Sequence, residues 1–466
     1  ALRHPAQSTN DAHAAHPAPV VRFAADLASS TRTPELSVVV PVWRGEHDLR
    51  RLVPSLLQAL RALGVPWEVV VSAGPRSERD AARAAGTEAT FVASRGTGYG
   101  DILRAGLARA TGRHVLTMDA DFGHRPEFVR TMWEHRGAGE VLIASRYVPG
   151  AVAEMGAVRR VASRSVNVVH RKLLSLPYRD LTSGFRLYRR DVLREIGPLR
   201  SRGLDVLPEA LVKAYCEGWR IAEIPFRYRG ARPWTRARMV RMGLGYVGTL
   251  GRLFALRNSV KAADYDHRAF DSWIPLQRYW QRRRFRIIRD FAAGAGRTLD
   301  IGCGSSRIVQ ALGDGVGVDL AVRKLRWLRR PGRLLAQADI NRLPFRGGSF
   351  DAVICSEVIE HVPREALDLR DMVRVLRPGG VLILGTPDYG RRRWRALEWV
   401  YGRVFPGGYA REHVNRYTHE RLRRELRELG LAVLECRYVG GSEMIFKAQL
   451  PAEPPARVPE LTASAG

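Results

Sequence analysis

The chain has 466 residues, 45% hydrophobic and 26% charged, which excludes a disordered or fibrous protein and is too long for one ordinary core. Its 76 Lys and Arg outweigh 47 Asp and Glu, and the net charge of +29 either attracts polyanions (nucleic acid, anionic lipid, phosphorylated substrates) or simply solubilises an arginine-rich surface. Cys216, Cys303, Cys355 and Cys436 form no C-x-x-C pair, so no disulfide framework or zinc site is expected and a reducing cytoplasm fits best.

Residues 1–34 are rich in Ala, His and Pro, lack the apolar run of a signal peptide, and are expected to form a disordered arm. From Glu35 short β-branched runs alternate with helical periods. "LSVVVPV" reads as a buried strand, and Leu49, Leu52, Val53, Leu56, Leu60 and Leu63 then recur at helical spacing. "WEVVVSAG" is a second strand, "GYGDILRAGLARATG" a helix that Gly112 should cap, and "HVLTMDAD" and "EVLIASRY" are further strands. Such alternation predicts a parallel sheet with helices on its faces over residues 35–257.

No segment reaches the roughly 18 uncharged apolar residues needed to span a bilayer. Arginines interrupt "MVRMGLGYVGTLGRLFALR", which suits an interfacial or an ordinary domain-edge helix, so the protein can lie on a membrane surface and is not expected to cross one. Residues 258–296, aromatic and basic, read as a linker plus entry helix. A second α/β series over 297–450 contains the strands "RTLDIGCG", "GVGVDLA", "DAVICSE" and "GGVLILGTP", followed by a tail at 451–466 expected to be disordered.

The first chemical signal is Asp119-Ala-Asp121. Two carboxylates at the carboxyl end of a strand can direct oxygen at a divalent cation and its diphosphate, or one Asp can merely cap the following helix. Their surroundings decide. "GTGYGDILRAGLARATGRHVLTMDADFGHRPEFV", "ASRYVPG", "RRVASRSVN" and "DLTSGFRLYRRDVL" resemble, in order, the family-2 glycosyltransferases of the polyprenyl-phosphate (dolichyl-phosphate) mannosyltransferase type.

That resemblance, over about Leu36 to Arg236, implies a GT-A nucleotide-diphospho-sugar transferase fold with Mg²⁺ or Mn²⁺ held by Asp119 and Asp121. Asp121 and Asp180 take the catalytic places, with Asp180 and the "TSGFR" loop bordering the acceptor, and Arg146, Arg159, Ser163 and Arg236 contact donor or acceptor phosphates. The donor implied is a GDP- or UDP-sugar and the acceptor a polyprenyl phosphate or another lipid-linked or glycan acceptor. Two departures stand out: Ser72-Ala73 where the family has paired acids that read base and ribose, and Thr235-Arg236 where it has Ser-Lys.

The second signal is "TLDIGCGSS", a strand entering a Gly-rich turn whose Gly302 and Gly304 permit close backbone approach to a ligand. With Asp319 ending "VGVDLA", then "AQADINRLPFRGGSFDAVICSEVIEHV" and "VRVLRPGGVLILGTP", residues 265–446 resemble class I S-adenosylmethionine-dependent methyltransferases of the type-11 or ubiquinone-biosynthesis-like kind. The resemblance implies a Rossmann-like fold in which Asp300, Gly302 and Gly304 meet the methionine part of S-adenosylmethionine, Asp319 the ribose, and Asp339 with Ile340 the adenine. A hydroxyl acceptor benefits from a base; His361 and His413 are the candidates, although His361 equally suits packing.

The expectation is a bifunctional α/β enzyme, cytoplasmic or peripheral on the inner face of a membrane. A methyltransferase with a non-catalytic sugar-transferase-like binding half is the alternative that Ser72-Ala73 raises. An RNA methyltransferase ranks below both, because few aromatics accompany the basic runs and a nucleic-acid partner is not expected.

Overall fold

A computed structural model describes residues 33–43, 49–230, 235–404 and 413–452; the expected arm and tail fall almost wholly outside the described residues. The chain divides into two compact units, Ala1–Leu211 with Ile221–Leu250, and Val212–Arg220 with Gly251–Gly466.

The first unit is built on a seven-stranded sheet of β1 (Leu36–Val42), β2 (Trp67–Ala73), β3 (Thr90–Ala93), β4 (His114–Thr117), β5 (Val141–Ser145), β7 (Arg186–Arg189) and β8 (Ile221–Pro225). A two-stranded ribbon pairs β6 (Val152–Glu154) with β9 (Arg227–Arg229). All seven residues of β1 are buried, as befits a central strand covered on both faces. The strand order is β3-β2-β1-β4-β7-β5-β8.

This sheet is mixed, not parallel throughout. β7 runs antiparallel to both β4 and β5. The reversal has a consequence for the site: the loop that precedes β7 lies beside the carboxyl ends of β4 and β5. It is tied there by Thr117 Oγ1 donating to Gly184 O at 2.7 Å. Helix Tyr99–Arg109 also ends earlier than expected, passing through Ala110 in extended geometry. Gly112 instead allows close packing, since a Cβ there would lie 2.6 Å from Ser37 N.

The second sheet contains β10 (Arg297–Ile301), β11 (Asp314–Asp319), β12 (Leu334–Gln337), β13 (Phe350–Ser356), β14 (Leu376–Pro387), β15 (Ala432–Val439) and β16 (Glu443–Gln449). Its order is β12-β11-β10-β13-β14-β16-β15, with β16 antiparallel to β14. Both units therefore carry the α/β architectures expected, GT-A followed by Rossmann-like.

Residues 258–296, expected as a linker plus entry helix, belong to the second unit, and the entry helix is present. Helix Pro275–Phe291 buries Ile287, Ile288 and Phe291 in that unit's core, and Arg257 makes a fully buried ion pair with Asp264, Nη2 to Oδ2 2.6 Å. The division between units falls inside helix Arg236–Arg257, not at 257/258. No helix among the described residues is long and apolar enough to cross a membrane.

Candidate active sites in the two units

β4 ends at Thr117, so Asp119 and Asp121 stand just past its carboxyl end, both part-exposed. Asp119 Oδ1 accepts from Tyr99 Oη at 2.8 Å, while Asp121 Oδ1 accepts from Gly123 N–H at 3.0 Å. His124 is buried beneath them, stacked on Phe185 at 4.9 Å. Its Nδ1 accepts the Asp119 N–H at 2.8 Å, which makes Nε2 the protonated nitrogen of the neutral ring. Nε2 lies 3.7 Å from Asp119 Oδ2. Gly184 presses on the same carboxylate: a Cβ there would meet Asp119 Oδ1 at 2.8 Å and Tyr99 Oη at 3.0 Å.

The two carboxylates are thus oriented by neighbours, and among the described residues no Lys or Arg pairs with either. Hard oxygen donors held this way suit Mg²⁺ or Mn²⁺, which keep diphosphate oxygens as remaining ligands. Tyr99, Gly184 and His124 were not singled out from sequence as site residues. The only available cue was their position: the tyrosine opens the helix, the glycine lies in "TSGFR", and the histidine lies between "DAD" and "PE".

Arg146 and Asp180, expected near phosphate and acceptor, are held to one another. Arg146 donates Nε to Oδ2 at 2.8 Å and Nη2 to Oδ1 at 2.7 Å, and its backbone N–H also reaches Oδ2 at 2.9 Å. Burial pushes the Asp180 carboxyl up, but Arg146 overrides it and holds the group below the ordinary carboxylate range. Asp180 is completely buried and further accepts from Ser183 N–H, so here it positions Arg146 and the Thr182–Ser183 turn. Arg159 donates to Tyr228 Oη at 2.6 Å, and Ser163 Oγ accepts from Tyr147 Oη at 2.7 Å. The side chain of Arg236 lies outside the described residues. Ser72 and Ala73, at the end of β2, are fully buried and present no group to a base.

In the second unit the turn after β10 places Gly302 and Gly304 at φ +65° and +56°, in the left-handed region that glycine enters without strain. Gly304 N–H donates to Asp319 Oδ2 at 2.8 Å and Ala321 N–H to Oδ1 at 2.7 Å, fixing that carboxylate at the end of β11. Asp300 is buried with Oδ2 lacking a hydrogen-bond partner among the described residues, and burial, then the Asp319 charge, pushes its carboxyl well up. An orphaned carboxylate oxygen beside a glycine turn fits a ligand carrying ammonium and sulfonium charges. Asp339 is exposed and Ile340 buried, beyond β12.

The turn Ile359–His361 follows β13 and brings Glu360, His361 and His413 together; one ligand atom from each lies within 4.8 Å of the others. Glu360 is fully buried, and burial pushes its carboxyl up to about 8. His413 Nδ1 lies 2.9 Å from Glu398 Oε1, which also accepts from Tyr389 Oη at 2.6 Å. Glu398 was invisible to sequence reasoning, since nothing in a helical glutamate reveals a partner fifteen residues on. The cysteines are free thiols, buried except for half-buried Cys436.

Both halves of the chain resemble known proteins. Residues 37–197 match glycosyl transferase family 2, and residues 299–384 match a methyltransferase domain. The polyprenol monophosphomannose synthase of Mycolicibacterium smegmatis is 34% identical over 118 residues, 24% of this chain and 44% of that protein. The undecaprenyl-phosphate 4-deoxy-4-formamido-L-arabinose transferase of Pectobacterium carotovorum is 28% identical over 165 residues, 34% of this chain and 50% of that protein. The chain thus spans half or less of the length of these relatives. A crystal structure of an S-adenosylmethionine-dependent methyltransferase from Thermotoga maritima is 20% identical, covering 39% of this chain and 94% of that one with a TM-score of 0.33. The chain joins a glycosyl transferase family 2 domain to a methyltransferase domain, two enzyme domains of the transferase kind.

Proposed function

We propose that the first domain transfers a sugar from a GDP- or UDP-sugar to a polyprenyl phosphate or related lipid-linked acceptor, and that the second O-methylates the product or a pathway intermediate. The observation that carries the sugar-transfer reading is the Asp119/Asp121 pair, set by Tyr99 and Gly123 at the end of β4 beside the loop entering β7. The names of the relatives, both acting on polyprenyl carriers, support the acceptor class.

Asp119 and Asp121 would hold a divalent cation, which supplies charge neutralisation for the departing nucleoside diphosphate. A phosphate acceptor is already ionised near neutral pH and needs no strong base, so the chain's own part is to orient. Arg146, locked by Asp180 at the end of β5, and Arg159, from helix Ala157–Leu173, would supply guanidinium groups; both lie over the Tyr228 ring, at 5.6 and 5.4 Å. In the second domain Asp300, Asp319 and the glycine turn would hold S-adenosylmethionine, which supplies an activated methyl group for in-line transfer. His413, oriented by Glu398, would serve the acceptor, as a base in the absence of a cation or as a ligand to one.

A membrane-embedded acceptor calls for a membrane-facing surface. Helix Ala157–Leu173 exposes Val158, Val161 and Val168 along one side, with exposed Arg160, Arg164 and Lys172 around them. Such a stripe suits the cytoplasmic face of an anionic membrane as a peripheral dock.

Burial of Ser72 and Ala73 favours a second reading, in which the first domain binds sugar or lipid without turnover. Thermal-shift titration with GDP- and UDP-sugars, with and without Mn²⁺, separates the two. Metal-dependent stabilisation by one nucleotide sugar, lost in Asp119→Asn/Asp121→Asn, is expected. Stabilisation by S-adenosylmethionine alone would overturn sugar transfer.

A further inference from the structure

We infer that Glu360, His361 and His413 form a second divalent-cation site, inside the methyltransferase domain, that takes a first-row transition ion and the oxygen of the methyl acceptor.

The chain goes to some length to assemble these three side chains. Glu360 and His361 share one turn, but His413 comes from a segment more than fifty residues later. It is brought in by the backbone N–H groups of Val414 and Asn415, which both donate to the Glu360 carbonyl, at 2.9 and 3.0 Å. The His361 and His413 rings consequently stand 5.0 Å apart, centroid to centroid, inclined at 50°.

Two observations point to a ligand. The Glu360 carboxylate has one oxygen accepting from Thr386 Oγ1 at 3.0 Å, while Oε1 is buried with no hydrogen-bond partner among the described residues. A buried carboxylate oxygen left in that state calls for an unseen partner, an ion among them. The second observation lies behind His413, whose Nδ1 meets Glu398 Oε1, itself tied by Tyr389 Oη. A carboxylate behind the far nitrogen is the arrangement that fixes the tautomer of metal-binding histidines and raises their basicity. Two imidazoles and one carboxylate select Zn²⁺, Mn²⁺, Fe²⁺ or Co²⁺ over Mg²⁺ or Ca²⁺.

The position fits the chemistry of methyl transfer. Val358, two residues before Glu360, packs so tightly on the cofactor turn that a Cβ on Gly302 would lie 2.3 Å from its Cγ2. Glu360 and His361 therefore rise from the turn that borders the methyl donor's glycine loop, and His413 is held beside them by its own segment. On the proposed O-methylation reading, the cation binds the acceptor hydroxyl and lowers its pKa, and the proton leaves to solvent. The freed oxygen pair then forms the O–CH₃ bond as the S–CH₃ bond breaks, its pair remaining on sulfur to leave S-adenosylhomocysteine. The donor set thus points to an alcohol or phenol acceptor.

Metal binding itself provides the test, using the full chain with Asp119→Asn/Asp121→Asn to silence the other candidate site. After chelation, Co²⁺ is titrated while its visible absorption is followed, then displaced by Zn²⁺. One equivalent is expected. Binding should vanish in His361→Ala and weaken about 10–100-fold in Glu398→Gln, where only the residue behind His413 changes. A retained S-adenosylmethionine-induced thermal shift identifies variants that have folded. Absence of a bound equivalent, or equal binding in folded His361→Ala and His413→Gln, overturns the site and leaves His413–Glu398 as a metal-free base pair. Binding without methylation of any alcohol keeps the site and overturns only the O-methylation reading.

Discussion

Arg146 grips Asp180 with two parallel hydrogen bonds, Nε–Oδ2 2.8 Å and Nη2–Oδ1 2.7 Å, and the carboxylate has no exposure to solvent. The pair joins the end of β5 to the loop entering β7, which makes it a structural clamp on the edge of the candidate sugar-transfer site. Removing one charge strands the other, at about 3–5 kcal/mol for a buried pair. Asp180→Asn should therefore lower the unfolding free energy of the first unit by about 3 kcal/mol. Because Asp180 is held below the ordinary carboxyl range, its contribution is fully present above about pH 4 and fades as pH falls further. The wild-type advantage over Asp180→Asn, measured by urea unfolding, should shrink below that pH. An advantage independent of pH would sink the account.

Gly184 sits against the Asp119–Tyr99 bond, where a Cβ would come within 2.8 Å of Asp119 Oδ1. Its backbone φ is not in the left-handed region, so Gly184→Ala strains the carboxylate and not the main chain. We expect nucleotide-sugar binding in the presence of Mn²⁺ to weaken by roughly tenfold or more, since small displacements at a reacting centre are costly. The melting temperature should move little. Unchanged metal-dependent binding would show that Asp119 has slack the geometry does not reveal.

Legibility in the sequence followed the range of the interactions. The central strands of both sheets are continuous apolar runs bounded by Gly or Pro, and "LSVVVPV" and "DAVICSE" stand where expected. The antiparallel β7, "RLYR", escaped because its Arg186 is buried by bonds to the carbonyls of Leu181 and Leu207, partners that periodicity cannot supply. The entry helix expected within residues 258–296 is present as Pro275–Phe291, but the stretch before it read as a linker because the Arg257–Asp264 pair that ties it down is a contact between two charged residues, a pattern indistinguishable from a solvated surface. In the sites, the acidic tips and glycine turns were legible because their spacing is local. Tyr99, His124 and Glu398 were not, because each acts through a residue brought to it by the fold.

Asp300 yields opposite signs for stability and binding. Burial and Asp319 raise its carboxyl, so the folded state without ligand is destabilised as pH rises from the ordinary carboxyl pKa through the raised one. A cationic methyl donor favours the ionised carboxylate, so binding should release a proton and tighten with pH over that interval. Asp300→Asn should raise the ligand-free melting temperature while weakening S-adenosylmethionine by about tenfold, one lost charge-assisted contact. Calorimetry in buffers of different ionisation enthalpy reads the proton directly. A heat that does not depend on buffer would refute the linkage.

The proposed membrane dock separates into two contributions that salt can resolve. Val158, Val161 and Val168 are 70%, 64% and 44% exposed on helix Ala157–Leu173, so replacing them removes little from the core. Val161→Asp/Val168→Asp should weaken binding to vesicles of anionic phospholipid at least tenfold, because each fully inserted valine contributes about 1.5 kcal/mol or more. The melting temperature should stay within about 2 °C, as expected of surface changes. The arginines and Lys172 act through charge, and their share should fall as ionic strength rises and the screening length shortens to about 8 Å at 0.15 M. Residual wild-type binding at high salt that is absent in the double variant assigns it to the valines. Loss of all wild-type binding at high salt would mean that the helix is only attracted to the surface, and that the acceptor's lipid must reach the site by another face.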